Sequence, residues 1–245
     1  MMNGHIHYQE YGYGEMLVML PSFWLTSRSY RSIAQKLAER YRVIVPDLYR
    51  GESRFSRNAF TVDDYVEQLH GFFSDLRISK CYLLGISFSS LIASKYLARY
   101  PDDIDKIILV STFAPPSDAE KYRLTFFRGL IAYMKLIYHN LFFGKGIKIN
   151  MLWLFDSICN YFLRHPRQFF LDVTIALRAS EERTFTFLKP TRQLIADKDE
   201  FIPYGTFDQI GTMQNLEMDT IEGFHAWFFL HEDLFVEKVC SYFVP

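Results

Sequence analysis

Residues 80–90 read KCYLLGISFSS, in which a short apolar run ends at Ile86 and is followed by the isolated polar residue Ser87. Such a run predicts a buried strand, and the next residues, SSLIASKYLARYP, have the pattern of a helix that ends before proline. A tight strand-to-helix turn lifts its central side chain clear of the sheet and directs the first helix amides toward it. Ser87 is therefore a candidate nucleophile, and the alternative is a serine that only caps the helix.

The same alternation of strand-like and helix-like segments extends through most of the chain. It predicts a mainly parallel sheet with helices on both faces, in which reactive groups collect at the carboxyl ends of the strands. We expect an α/β fold with a mostly parallel central sheet of about seven or eight strands. The strand-like runs are residues 5–11, 16–20, 41–46, 80–86, 105–111, 191–196 and 215–221.

Residues 113–188 interrupt this alternation with helical periodicity and no convincing strand. We predict an all-helical lid inserted late in the sheet, with residues 1–112 and 189–245 forming the core domain. Part of the lid's apolar surface is expected to pack within the lid itself and part to face the core. Leu130, Met134 and Ile137 recur at helical spacing and are the predicted apolar wall of a substrate pocket.

The composition is that of a globular protein, and its net charge does not indicate a class of binding partner. The 245 residues are 49% hydrophobic with a formal charge of −1, which predicts no binding of nucleic acid. The charge is uneven, because residues 113–189 contain eleven Lys/Arg and six Asp/Glu. An acidic carrier or a membrane surface is thus a candidate partner for the basic lid, and the plainer interpretation is a solvated face.

Cysteine usage and hydropathy predict a cytoplasmic protein. The three cysteines are widely spaced with no CxxC pair, which favours a reducing compartment. The N-terminus has no basic region followed by an apolar one, and Lys135 and His139 interrupt the best transmembrane candidate. No transmembrane segment is therefore expected. The histidines show no ligand spacing, so we predict no metal site and no cofactor.

Two later strand ends supply partners for Ser87. A serine hydroxyl needs a base to take its proton, and the base needs a carboxylate to orient it. Asp199 follows the next-to-last predicted strand and His225 follows the last one. Asp197 is a close alternative to Asp199, and Asp118 is a more remote one. The chain order Ser, Asp, His is typical of hydrolases with a nucleophile elbow.

Five short motifs lie at these strand ends, and in this order they resemble the α/β-hydrolase superfamily. Each departs a little from the family pattern, and the register of the acid motif selects Asp199 over Asp197. The motifs are Gly85-Ile86-Ser87-Phe88-Ser89 for G-x-S-x-G, Ala196-Asp197-Lys198-Asp199-Glu200-Phe201-Ile202-Pro203 for G-x-x-D-x-x-x-P, Gly223-Phe224-His225 for G-x-G-H, Pro21-Ser22 in place of His-Gly, and Asp47-Leu48-Tyr49-Arg50-Gly51 for the Asp-Arg-Gly loop.

The resemblance implies a serine hydrolase that cleaves a carboxylic ester or thioester with an apolar acyl part. In that reaction Ser87 attacks the carbonyl, His225 transfers the proton and Asp199 orients His225. The family's two oxyanion amides carry over to the backbone N–H groups of Phe23 and Phe88. The implied partner is a small molecule with an apolar acyl group.

Serine replaces the family glycine at Ser22 and at Ser89. We expect the extra atoms of Ser89 to distort the packing of the elbow, and Ser22 to need an unusual backbone conformation. Two alternative functions stay open on the sequence. One is a binding module that keeps the fold without the reaction, and the other is acyl transfer, C–C cleavage or lyase chemistry on the same triad.

Overall fold

The computed structural model describes residues 4–49, 52–55, 58–112, 126–143, 161–179, 187–201 and 215–243. Its strands are β1 (Gly4–His5), β2 (Tyr8–Tyr11), β3 (Glu15–Leu20), β4 (Tyr41–Pro46), β5 (Arg54–Phe55), β6 (Cys81–Ile86), β7 (Ile104–Val110), β8 (Thr191–Ala196) and β9 (Leu216–Ile221). Its helices are α1 (Arg31–Leu37), α2 (Val62–Leu76), α3 (Phe88–Arg99), α4 (Phe126–Phe143), α5 (Pro166–Ala179), α6 (Trp227–Leu230) and α7 (Glu232–Tyr242), with 3₁₀ turns at Ser27–Tyr30 and Pro101–Asp103.

Seven strands form one sheet in the order β2-β4-β3-β6-β7-β8-β9. The edge strand β2 is antiparallel to β4, and every other neighbouring pair is parallel. The expected first run, residues 5–11, divides into β2 and the short β1, which pairs with β5 outside the main sheet. The predicted α/β class and mostly parallel sheet are confirmed, with seven strands in the main sheet.

Side chains of the central strands alternate between two apolar layers. On β3, Leu17 and Met19 pack in the layer that contains residues of α1, α6 and α7, whereas Val18 and Leu20 pack in the layer that contains residues of α2 and α3. Every residue of β6 is buried, as expected for a parallel strand covered on both faces. Because β6, β7, β8 and β9 are mutually parallel, the carboxyl ends of β6, β8 and β9 lie at one edge of the sheet.

The segment between β7 and β8 contributes α4 and α5, and its described part contains no strand. The predicted start of the lid at residue 113, the alternative acid Asp118 and Cys159 lie outside the described residues, whereas its predicted end at residue 188 lies within them, just before β8. None of the described helices has the length and apolarity that a bilayer crossing requires.

A buried carboxylate, that of Asp172, attaches α5 to α2. It accepts hydrogen bonds from the Tyr65 hydroxyl at 2.5 Å, from Gln168 Nε2 at 2.7 Å and from the Tyr161 hydroxyl. Gln168 in turn pairs with the backbone of Ala59, accepting from its N–H and donating to its C=O, both at 3.1 Å. Asp172 is 0% exposed, so these protein donors take the place of water around the carboxylate.

Asp172→Ala is expected to lower the free energy of unfolding by about 3 kcal/mol, because each buried donor left without an acceptor costs roughly 1–3 kcal/mol. Urea denaturation followed by circular dichroism measures the change. Thr174→Ala is the matched control, since Thr174 lies on the exposed side of the same helix. Equal denaturation midpoints for the two variants would contradict the anchoring role of Asp172.

Candidate active site

Ser87 occupies a sharp turn between β6 and α3. Its backbone angles are φ 57° and ψ −124°, a conformation that a residue with a side chain rarely adopts. Gly85 permits the close approach of the helix, because a Cβ there would lie 2.8 Å from the carbonyl oxygen of Ser89 and 2.8 Å from Cα of Ser90. The turn presents the Ser87 hydroxyl at the carboxyl end of the sheet.

The structure brings Ser87, His225 and Asp199 together in one chain of hydrogen bonds. Ser87 Oγ lies 2.8 Å from His225 Nε2, and His225 Nδ1 lies 2.7 Å from Asp199 Oδ2. Because a carboxylate only accepts, Nδ1 carries the proton and Nε2 is left free to accept from the serine hydroxyl. Ser87 is 8% exposed and His225 is 6% exposed, so the contacts are shielded from solvent.

Asp197 has a different partner from Asp199. Its Oδ1 accepts a hydrogen bond from the backbone N–H of Gly223 at 2.9 Å, which ties the loop after β8 to the loop after β9. The two candidate acids of this loop therefore have different partners. Asp199 contacts the imidazole of His225, and Asp197 accepts a hydrogen bond from the backbone of the neighbouring loop.

Opposing influences act on the imidazole of His225. Burial lowers the pKa of His225, while the charge and hydrogen bond of Asp199 and the charge of Glu200 raise it. The net result is a pKa above the ordinary value of 6.5. The site thus stabilises the imidazolium, the species that a general base becomes during catalysis, more than water does.

The raised pKa of His225 predicts where activity is lost on the acid side of the pH profile, for any reaction that needs neutral His225 as a base. Activity then falls as the pH drops through the pKa of His225, and because that pKa is raised, the midpoint of the limb lies above pH 6.5. The pH profile of kcat/KM measures it, since this parameter reports the ionisations of the free protein. A midpoint below pH 6.5 would contradict the prediction.

The second carboxylate at the site, that of Glu200, was not predicted from the sequence. Its Oε2 accepts a hydrogen bond from the backbone N–H of His225 at 2.8 Å, and its Oε1 accepts one from His139 Nδ1 at 2.5 Å. The His139 ring, on α4, also stacks on Phe224 with ring centroids 3.9 Å apart. The sequence places Glu200 next to Asp199 but carries no signal that links it to His139, 61 residues away.

The two predicted oxyanion amides lie on neighbouring segments. Phe88 is the first residue of α3, so its N–H belongs to the helix-start amides that have no acceptor within the helix. Phe23 lies in a turn closed by a hydrogen bond from the Leu25 N–H to the Ser22 carbonyl at 3.1 Å. The two phenylalanine rings pack with centroids 4.5 Å apart, which holds the turn against the elbow.

The backbone strain expected at Ser22 occurs two residues later, at Trp24, where φ is 62°. Ser22 is not among the described residues with a positive φ. Its N–H instead donates to the Tyr30 hydroxyl at 2.9 Å, and its Oγ lies 2.5 Å from that hydroxyl. The positive φ falls on Trp24 because the turn from Ser22 to Leu25 requires the left-handed conformation at its third residue.

Ser89 connects the elbow to the loop that contains Phe23. Its hydroxyl donates to the Pro21 carbonyl and, since that proton is used, accepts from the Tyr49 hydroxyl at 2.6 Å. Ser89 is fully buried, and the turn at Ser87 keeps its strained geometry. The hydroxyl that replaces the family glycine therefore makes two hydrogen bonds that glycine lacks.

Two of the three predicted wall residues of α4, Leu130 and Met134, are not on its inward side. Leu130 and Met134 are 48% and 57% exposed, and Ile137 is half-buried. The inward side carries Leu136, which packs in a core layer, and His139, which bonds the loop beside the triad. These two contacts set the rotation of the helix and turn Leu130 and Met134 toward solvent.

Comparison with known proteins agrees with this architecture. A model of the family described as alpha/beta hydrolase fold matches residues 15–136. The chain belongs to the α/β-hydrolase superfamily. Over 120 residues it is 31% identical to 2-hydroxy-6-oxo-6-phenylhexa-2,4-dienoate hydrolase of Burkholderia cepacia, covering 45% of this chain and 41% of that protein. Over 120 residues it is 24% identical to human monoacylglycerol lipase ABHD6, covering 43% and 36% of the two chains.

Among solved structures, a thermophilic esterase from Thermogutta terrifontis superimposes on this α/β-hydrolase with a TM-score of 0.75 at 20% identity. The superposition covers 99% of this chain and 97% of the esterase, so the two share the whole fold. The sequence matches are shorter, spanning 30–41% of the length of the curated relatives.

Proposed function

We propose that this α/β-hydrolase is a serine hydrolase that cleaves a carboxylic ester or thioester with an apolar acyl part. The observation that carries the proposal is the hydrogen-bonded series Ser87, His225 and Asp199 on a strained strand-to-helix turn. A serine that only capped the helix would accept a hydrogen bond from an amide of the first turn. Within the described α3, the Ser87 side chain makes no such bond and contacts His225 instead.

In the proposed reaction Ser87 Oγ attacks the substrate carbonyl as His225 Nε2 takes the hydroxyl proton. Asp199 keeps the proton of Nδ1 in place and stabilises the imidazolium. The N–H groups of Phe23 and Phe88 donate to the oxyanion of the tetrahedral intermediate. His225 then returns the proton to the leaving alcohol or thiol, and water releases the acid from the acyl-enzyme by the same steps.

An aromatic cluster beside the elbow supports an apolar acyl part. The Trp24 ring stacks on Phe23 at 4.5 Å and on Phe169 of α5 at 4.2 Å between ring centroids. The Tyr49 ring meets Phe23 edge-on at 5.4 Å. Aromatic side chains from the core and from α5, in the segment between β7 and β8, thus lie beside the loop that contains Phe23.

The value of kcat/KM is expected to rise with acyl chain length until the apolar site is filled. Each buried methylene contributes roughly 0.8 kcal/mol, or at most about a fourfold increase. A series of p-nitrophenyl esters from acetyl to octanoyl, assayed below micelle-forming concentrations, measures the slope. Met134→Ser is the control that should leave it unchanged, because Met134 is exposed. A flat series would point to small polar esters instead.

Labelling with a fluorophosphonate probe tests the proposal directly, because an activated serine reacts with it and a capping serine does not. We expect a single labelled peptide containing Ser87, and heat-denatured protein should not react. Absence of labelling in the folded protein would favour the alternative of a binding module that keeps the fold without the reaction.

Hydrolysis of a C–C bond by the same triad is a second candidate function. It is favoured by the 31% identity to the Burkholderia cepacia enzyme, which is named for its action on 2-hydroxy-6-oxo-6-phenylhexa-2,4-dienoate. Turnover of that compound compared with turnover of p-nitrophenyl esters separates the two. A higher kcat/KM for the dienoate would favour C–C cleavage.

A further inference from the structure

We propose that Glu200 is a positioning residue of the triad and that His139 holds it, so that the helix α4 governs the placement of His225. The inference rests on the proposed function, since it concerns the base of that reaction. It assigns a role to two residues that do not contact the reacting atoms.

Glu200 uses its two carboxylate oxygens for two different elements. Oε2 accepts from the His225 backbone N–H at 2.8 Å, and Oε1 accepts from His139 Nδ1 at 2.5 Å. The Glu200 side chain is only 2% exposed, so solvent cannot replace either donor. A buried carboxylate that loses one of its donors is costly, and withdrawal of His139 would therefore favour a rearrangement of Glu200.

The backbone of His225 is held at both of its polar groups. Its N–H donates to Glu200, and its C=O accepts a hydrogen bond from the Ser111 hydroxyl at 3.1 Å, just after β7. These two bonds hold the backbone in place while the imidazole contacts Ser87 and Asp199. Loss of the Glu200 bond frees one side of the loop and loosens the 2.8 Å contact on which proton transfer depends.

The helix α4 touches the histidine loop at a second point. The His139 ring stacks on Phe224, the residue before His225, with centroids 3.9 Å apart and planes 20° apart. One side chain of the helical insertion thus contacts both the acid loop and the histidine loop. A shift of α4 that moves His139 would disturb both loops together.

Glu200 also acts on His225 through its charge. Among the residues that the structure describes, the charged or titratable groups around the imidazole are Asp199 and Glu200 from the loop after β8, with His139 of α4 behind Glu200. The carboxylate of Glu200 contributes to the raised pKa of His225, after the larger contributions of burial, which lowers it, and Asp199, which raises it. Removal of the charge should therefore lower the pKa of the base.

Five variants of the full chain, three tests and two controls, separate these effects. Glu200→Gln keeps an acceptor for the His225 amide but removes the charge, whereas Glu200→Ala removes both, and His139→Ala removes the contact from α4. Glu222→Gln is the matched control, because Glu222 is exposed on the histidine loop and pairs only with Lys198 among the described residues. Met134→Ala is the control for His139→Ala on the same helix.

We expect Glu200→Gln to move the acid limb of the kcat/KM profile to lower pH, and Glu222→Gln to leave it in place. Glu200→Ala should reduce kcat on the order of tenfold to a hundredfold with little change in KM, because the base is misplaced and not the substrate. His139→Ala should reduce kcat in the same way but by less, and Met134→Ala should not. Thermal midpoints verify that each variant is folded.

Two results would overturn the inference while leaving the proposed function intact. One is an acid limb of Glu200→Gln that coincides with that of Glu222→Gln, and the other is a wild-type kcat in His139→Ala. If the wild-type protein neither turns over esters nor reacts with a fluorophosphonate, the proposed function fails and the inference fails with it. Fluorophosphonate labelling of the wild-type protein is therefore measured first.

Discussion

Ser87→Ala is expected to reduce kcat for ester hydrolysis on the order of 10⁶-fold, because it removes the nucleophile that forms the acyl-enzyme in the proposed reaction. The substitution removes the hydroxyl that lies 2.8 Å from His225 Nε2 and leaves His225 and Asp199 in place. Only a small change in stability should accompany it, since the hydroxyl makes no cap bond to the described α3. Steady-state hydrolysis of p-nitrophenyl butyrate, with thermal unfolding of the same sample, measures both quantities.

Ser94→Ala is the matched control for this experiment. Ser94 is a buried serine on the same helix, and its hydroxyl has no hydrogen-bond partner within the described part of the chain. Its removal should change neither turnover nor stability appreciably. If folded Ser87→Ala retained turnover within tenfold of the Ser94→Ala control, Ser87 would not be the nucleophile.

Asp199→Asn is expected to lower kcat on the order of 10⁴-fold. An asparagine at this position cannot stabilise the imidazolium, and its amide group favours the tautomer of His225 that carries the proton on Nε2. The Ser87 hydroxyl would then face a donor in place of an acceptor. Rates of ester hydrolysis and of fluorophosphonate labelling should both fall.

Asp197→Asn tests the specificity of that result. Asp197 accepts from the Gly223 N–H, and the carbonyl oxygen of an asparagine can make the same bond, so a modest effect is expected. Both variants remove one negative charge from the same loop. A larger loss in Asp197→Asn than in Asp199→Asn would show that the carboxylate beside the imidazole in solution is Asp197.

Most of the secondary structure follows from local sequence patterns. The run of residues 80–86 predicts β6, and the run of residues 191–196 coincides with β8. Helix α2 begins at Val62 because the preceding Thr61 accepts from the Asp64 amide and Asp64 accepts from the Thr61 amide. These signals involve residues within a few positions of one another, which is why the sequence alone reveals them.

The positions of the candidate triad could also be predicted, because a parallel sheet gathers the carboxyl ends of its strands at one edge. Ser87, Asp199 and His225 each follow a strand that can be recognised from its apolar run. The choice between Asp199 and Asp197 depended on a motif register, and the 2.7 Å contact to His225 Nδ1 adds a geometric reason. The family model extends only to residue 136, so the last two triad positions rest on these contacts.

The sequence by itself thus determined the α/β fold, the strand that leads into the elbow and the three residues that meet beside it. Only the tertiary structure decided the rotation of α4, the partners of Ser89 and the link from His139 to Glu200. The reason is that α4 has apolar residues on more than one side, with Met134 exposed and Leu136 buried, so its periodicity does not select an inward face. That choice depends on contacts with segments far away in sequence, which no local pattern encodes.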